Sequence, residues 1–283
     1  MNLINPTAEI YIPSGEPAAR ALSRTTHLCI AAHQDDIEIM AYNAVAECYD
    51  DPQKAFCGVV VTDGAGSPRA GLYADFTDLQ MRQVRAAEQK QAADIGRYAA
   101  QLLLGYPSGA VKDGGNAEVS AELAQIIAAT RPRIIFTHNL FDKHDTHVAV
   151  ALRVISAVRS LAPEHRPEKI YSMEVWRGLD WLTDDSKIVF DTGGHPNLAA
   201  ALMGIFDSQI AGGKRYDLAA LGRRTANATF LASHNTDNLE SAAYGLDITG
   251  LCLDPAADIG GFIAGHIADF ASDVNNRIAG LKG

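Results

Sequence analysis

Aromatic residues make up only 7% of the 283, there are four cysteines, and neither a Lys/Arg run nor a membrane-length apolar stretch occurs. Each shortage excludes something. Cys29, Cys48, Cys57 and Cys252 form no Cys-x-x-Cys pair, and Cys29, Cys57 and Cys252 lie among apolar neighbours. They read as reduced core thiols, not as a disulfide framework. Basic residues number 24 against 34 acidic ones, a net charge of −10. Without a cationic cluster such a chain suits neither nucleic acid nor an anionic membrane surface. No apolar stretch reaches the roughly 18 to 20 residues that span a bilayer. The opening segment MNLINPTAEIYIPSGEP has no basic n-region and no apolar h-region. No secretory signal is expected there, and the expected location is the cytoplasm.

The 47% of hydrophobic residues is present as short runs alternating with helical patterns. The runs 26–32, 55–62, 101–105 and 133–137 are expected strands, with 169–175 extended. The segments 36–49, 79–96, 117–130 and 148–161 are expected helices. Buried strands alternating with helices predict an α/β fold, a doubly wound and mostly parallel sheet of Rossmann-like type. The expected core covers about 25–175. A smaller C-terminal appendage over 176–283 follows, with helical stretches 196–210 and 216–231 and a less regular end. The whole is expected to form a single catalytic domain.

In a doubly wound sheet the ligand site lies outside the carboxyl ends of the strands. Two such ends carry ionisable clusters. After the first strand comes Ala32-His33-Gln34-Asp35-Asp36-Ile37-Glu38, in which His33 and Asp36 are spaced i, i+3 while Asp35 projects elsewhere. Adjacent carboxylates repel unless a cation sits between them. The bland alternative is a solvated acidic helix start. After the strand at 133–137 comes Thr137-His138-Asn139-Leu140-Phe141-Asp142-Lys143-His144-Asp145-Thr146-His147. Such His/Asp clusters suit a three-ligand catalytic metal site, and the fold brings the two strand ends together. The turn Thr62-Asp63-Gly64-Ala65-Gly66-Ser67 allows close backbone approach to a ligand. It is not Gly-x-Ser-x-Gly, so Ser67 is not read as a nucleophile. On the long helix, Arg85 and Glu88 are either a surface ion pair or a buried pair that presents a guanidinium. Trp176-Arg177-Gly178-Leu179-Asp180-Trp181 could stack a sugar ring, though buried core tryptophans are the commoner case. His195, His234 and His266 read as ordinary surface or capping histidines.

Taken together, Ala32-His33-Gln34-Asp35-Asp36, Thr62-Asp63-Gly64, Arg85-x-x-Glu88, His144-Asp145-Thr146-His147 and Ser208-Gln209 resemble the PIG-L/LmbE-like family of zinc-dependent de-N-acetylases. The resemblance covers about residues 26–210. It implies one zinc per chain held by His33, Asp36 and His147, with Asp35 as general base. His144 would protonate or stabilise the reacting group, and Arg85 would help bind substrate. Gln34 replaces the usual proline, which is expected to loosen the turn. Ile37 replaces a frequent glutamate. Thr146 replaces the aspartate that normally tunes His144, a task for which Asp142 or Asp145 is the expected substitute. The implied reaction is hydrolysis of an N-acetyl group from an amino sugar or similar small molecule. The alternatives are an amidase for a larger acyl group and a non-catalytic sugar- or nucleotide-binding α/β module. The sequence does not set the oligomeric state.

Overall fold

The computed structural model describes residues 1–282. Among them eight strands form one sheet: β1 (Glu9–Tyr11), β2 (His27–Ala31), β3 (Phe56–Thr62), β4 (Ala100–Tyr106), β5 (Ile134–His138), β6 (Lys169–Met173), β7 (Ile188–Asp191) and β8 (Ala242–Asp247). The helices are α1 (Ala18–Ser23), α2 (Asp36–Met40), α3 (Tyr42–Asp50), α4 (Asp78–Ile95), α5 (Ser108–Lys112), α6 (Glu118–Thr130), α7 (Asp145–Ser160), α8 (Pro196–Gly204), α9 (Asp207–Ile210), α10 (Tyr216–Thr229), α11 (Thr249–Leu253) and α12 (Ile259–Leu281).

The strand order is β1-β4-β3-β2-β5-β6-β8-β7, parallel from β4 through β6 and antiparallel at β1, β8 and β7. The expected doubly wound, mostly parallel sheet is borne out. Every residue of β2 and β3 is buried, because helices cover both faces. Apolar side chains of α6, α7 and α11 pack one face. Those of α2, α3, α4 and α8 pack the other. Strand β2 pairs with β3 on one side and with β5 on the other. Successive connections therefore leave β2 in opposite directions, and a crevice opens between the carboxyl ends of β2 and β5.

Three features differ from the sequence reading. The sheet extends past both limits of the expected core, with β1 before residue 25 and β7 and β8 after residue 175. Part of the expected appendage is thus the far edge of the same sheet. The helix expected over 36–49 is two, broken at Ala41, whose φ is −121°; no Gly or Pro marks the break. The C-terminal end is not irregular but a 23-residue helix, α12, N-capped by Asp258, whose carboxylate accepts the Gly260 and Gly261 N–H groups. Its glycines lower the local helix propensity and hid it. No helix among the described residues is long and apolar enough to cross a membrane.

Candidate metal centre and active site

The crevice between β2 and β5 opens into a pocket of about 480 Å³, within the range of small-molecule sites. Its floor is the loop from β2 into α2. His33 follows the strand, and its backbone N–H donates to Asp36 Oδ2 at 2.7 Å. Asp35 between them takes φ +93°, a conformation an L-residue holds only under constraint. The constraint is visible: the Asp35 N–H donates to Gln89 Oε1 at 3.2 Å, and Arg85 donates to the Gln34 carbonyl. Gln34 does not loosen this turn. It is buried, and its side chain meets the Thr62 carbonyl at 3.3 Å and Arg85 Nε at 3.4 Å. At Gly64 (φ +73°) a Cβ would lie 2.6 Å from Gln34 Oε1 and 3.2 Å from Arg85 Cβ, so a side chain here would strain the backbone and displace the Gln34 amide.

From the β5 side, His147 on the first turn of α7 reaches the same point. His147 Nε2 lies 3.1 Å from His33 Nδ1 and 3.4 Å from Asp36 Oδ2, and His33 Nδ1 lies 3.3 Å from Asp36 Oδ2. A tetrahedral ion with bonds of about 2.0–2.1 Å has ligand–ligand edges of about 3.3–3.4 Å, so these three atoms fit a zinc-sized ion. Their charge states fit as well. Burial, with the neighbouring histidines, outweighs the pull of Asp36 and brings the His147 imidazole down to about 4. Burial works to raise Asp36, yet His147 and His138 hold it well below the usual carboxylate range. At neutral pH a neutral imidazole and a charged carboxylate therefore converge, which is how both ligate.

The carboxylate of Asp142 orients this histidine. Its Oδ2 lies 3.2 Å from His147 Nδ1 and accepts the Trp176 N–H, which directs the His147 Nε2 lone pair into the site. His147 holds Asp142 below the ordinary aspartate range, against its burial. Asp142 was expected beside the His144 ring, but it touches only the His144 backbone N–H, through Oδ1 at 3.2 Å. Asp145 is exposed and makes no hydrogen bond to His144. Thr146 is buried and lines the pocket. No carboxylate therefore takes the aspartate's place at the His144 ring, which is half-buried with Nδ1 unpartnered. Burial and His33 lower its pKa, against Asp36 and Asp142.

Asp35 and Asp36 are neighbours with opposite fates. Burial pushes Asp35 well above the aspartate range, with Arg85 pulling down and Asp36 adding to the rise. Asp35 Oδ2 accepts no hydrogen bond and lies 3.6 Å from Arg85 Nη1, itself buried and unpartnered. Arg85 and Glu88 are both buried but do not pair with each other. Glu88 instead accepts the Ser208 N–H at 2.7 Å and hydroxyl at 2.6 Å, anchoring α9 so that Gln209 lines the pocket.

Sequence reasoning assigned no role to several residues here. His138 Nε2 accepts the Ala32 N–H at 2.8 Å, so its lone pair is spent, and the ring stacks on His147 at 4.0 Å between centroids. Its place in the histidine-rich loop was the available signal. Ser108, Lys112, Lys214 and Tyr216 line the rim with Trp176, and no motif marks them. Trp176 is part of the pocket wall, while Trp181 packs on Phe141 and Phe270.

Residues 28–158 match the family PIG-L, described as GlcNAc-PI de-N-acetylase, so the resemblance carried by the motifs is borne out over that segment. No curated protein matches the sequence. Among solved structures, a conserved protein of Thermus thermophilus aligns at 18% identity and TM-score 0.63 over 83% of this chain and 99% of that one. The N,N'-diacetylchitobiose deacetylase of Pyrococcus horikoshii aligns at 15% identity and TM-score 0.65 over 83% and 88%. The 4-carboxy-2-hydroxymuconate hydratase of Pseudomonas putida aligns at 16% identity and TM-score 0.60 over 83% and 98%. At such identities the likeness is one of fold.

Proposed function

We propose that the chain is a hydrolase that removes the N-acetyl group of an amino sugar or a related small molecule, with one zinc ion per chain held by His33, Asp36 and His147. The observation that carries this reading is the convergence of His33 Nδ1, Asp36 Oδ2 and His147 Nε2 within 3.1–3.4 Å, in a pocket that the Asp35 carboxylate also lines. The family match and the deacetylase fold neighbour support it. Bound there, the ion supplies Lewis-acid polarisation of the amide carbonyl and makes water acidic near neutral pH.

The rest is done by the protein. The Asp35 carboxylate, which lines the pocket, accepts the proton of the attacking water and is held in place by the strained turn and by Arg85. Charging Asp35 is opposed by its burial, and the nearby guanidinium offsets part of that cost. His144, at the mouth of α7, stabilises the developing oxyanion, and the proton taken up by Asp35 passes to the departing amine. Trp176 and Tyr216 offer aromatic faces for a sugar ring, and Arg85 orients the substrate. The four cysteines are free thiols and three are buried, which suits the reducing cytoplasm.

Release of acetate from N-acetylglucosamine and N,N'-diacetylchitobiose, measured directly, tests the reaction; a hydratase shares the fold, so loss of substrate alone is not sufficient. Protein purified without chelator is expected to carry about one equivalent of zinc, lost in His147→Ala. Unchanged metal content in that variant would overturn the ligand assignment.

A further inference from the structure

Helix α12 leaves the body of the protein. Ile259, Phe262 and Ile263 pack against the core, and Phe270 still meets Trp181, with ring centroids 5.9 Å apart. Every residue from 267 to 282 is exposed. The helix nevertheless carries an apolar stripe there: Ile267 is 52% exposed, Phe270 39%, Val274 38%, Ile278 45% and Leu281 83%. With Ile263 the stripe repeats every eleven residues, 263, 267, 270 and then 274, 278, 281. That period keeps apolar side chains on one line of a nearly straight helix. The projecting part draws no stability from packing on the body, and Gly280 weakens its end. Its apolar line calls for a partner.

We propose that this partner is α12 of a second copy of the chain, packed antiparallel. The charges argue for it. Beside the stripe lie Asp273 and then, one turn later, Arg277, which pair within the helix at 3.1 Å. Turning one helix about a two-fold axis between Asn275 and Asn276 places Phe270 opposite the partner's Leu281 and Val274 beside the partner's Ile278. The same register sets Asp273 beside the partner's Arg277, and the reciprocal pair forms by symmetry. One register thus pairs Phe270, Val274, Ile278 and Leu281 and also the charges, because in an antiparallel pair the flank that carries Asp273 and Arg277 meets the same flank of the partner. The polar side carries Asp269, Asp273, Arg277 and Lys282, two of each sign, so it lacks the cationic surplus an anionic membrane selects. The overlap, about 21 Å long at 1.5 Å per residue, is at the small end of specific interfaces and implies a reversible dimer.

Sedimentation equilibrium of the full chain up to about 200 µM, above the micromolar range expected of a small interface, is the test. A monomer–dimer equilibrium is expected, abolished in Ile278→Glu without change in the melting temperature of the body. Asp273→Arg and Arg277→Asp should each be monomeric alone, because like charges then face each other twice. Mixed in equal amounts they should dimerise, at least tenfold more tightly than either alone. A structural role within one helix gives no gain on mixing. A monomeric wild type, a dimer indifferent to Ile278→Glu, or a mixture no tighter than its components would overturn the proposal. So would a monomer that instead sediments with anionic phosphatidylserine vesicles.

Discussion

On the pocket floor, two expected ligands and the expected base are each fixed by a second group: Asp36 by the His33 N–H, His147 by Asp142, and Asp35 by Gln89 and Arg85. On the rim, Lys214 Nζ lies over the Trp176 ring at 4.9 Å from its centroid, and Lys112 lines the pocket from α5. The floor grows directly out of two strand ends, where the turn geometry leaves little freedom. The rim is assembled from α5, the segment after β6, and the start of α10, which share no strand. Chemistry tolerates misplacement far less than binding does, and the molecule invests its constraints accordingly.

The sharpest way to break this comparison is Asp35→Asn. The floor reading predicts a fall in kcat of order 10² to 10⁴ with zinc content unchanged, since a positioned base is removed and no ligand is. Metal analysis and turnover on one sample check both halves. Near-full turnover would place the base elsewhere.

Next comes the carboxylate behind the metal site. Asp142→Asn should weaken zinc affinity by about 10- to 100-fold, because the amide holds His147 less firmly and stabilises its tautomer less well. Asp145→Asn should leave affinity unchanged, as Asp145 is exposed and touches no ligand. Competition with a fluorescent chelator measures both. Equal effects in the two variants would withdraw the orienting role of Asp142.

This division also explains what the sequence disclosed. The parallel strands of the core, and the meeting of the His33–Asp36 turn with His147, were legible because strand ends and close spacings are local signals. The partner of Asp142 was not, since Asp142 lies two residues from His144 and five from His147, and only the turn into α7 decides which ring it meets. Glu88 looked like the companion of Arg85 because helical spacing permits it. Ser208, 120 residues away, wins through two short hydrogen bonds. Strands β7 and β8 were assigned to an appendage because both are antiparallel and follow the βα alternation: β7 is a four-residue edge strand, and β8, though buried between β6 and β7, lies about 70 residues beyond β6 in the chain. Tyr216, Lys112 and Lys214 had no motif at all; tertiary folding alone brings them to the rim.

At the rim, Trp176→Ala removes an aromatic face but keeps the backbone N–H that binds Asp142. KM for a sugar substrate should rise by up to about tenfold, in line with about 0.5–1.5 kcal/mol for an aromatic contact, while kcat changes little. A fall in kcat with constant KM would move Trp176 from the rim to the chemistry.

The smallest effect concerns how the rim is anchored. Glu174, 3% exposed, accepts the Leu179 N–H and the Tyr244 N–H, each at 3.1 Å, and the Asn227 amide at 2.5 Å. It ties the segment that carries Trp176 to β8 and α10. Burial raises its pKa, and these hydrogen bonds with the Arg223 charge offset only part of the rise. An acid whose folded value is raised takes up its proton more readily folded than unfolded. The fold is therefore favoured below the unfolded value of about 4.3, and this stability is lost as pH climbs through the raised folded value. Above that window the buried charge is a constant cost. Glu174→Gln cannot titrate, so its urea midpoint should lie furthest below wild type at acidic pH, with the gap narrowing as pH rises. Reading the difference between the two proteins at each pH cancels the titration of every other group. A gap that is constant with pH would mean that Glu174 keeps one protonation state throughout, and that hydrogen bonding alone secures the rim.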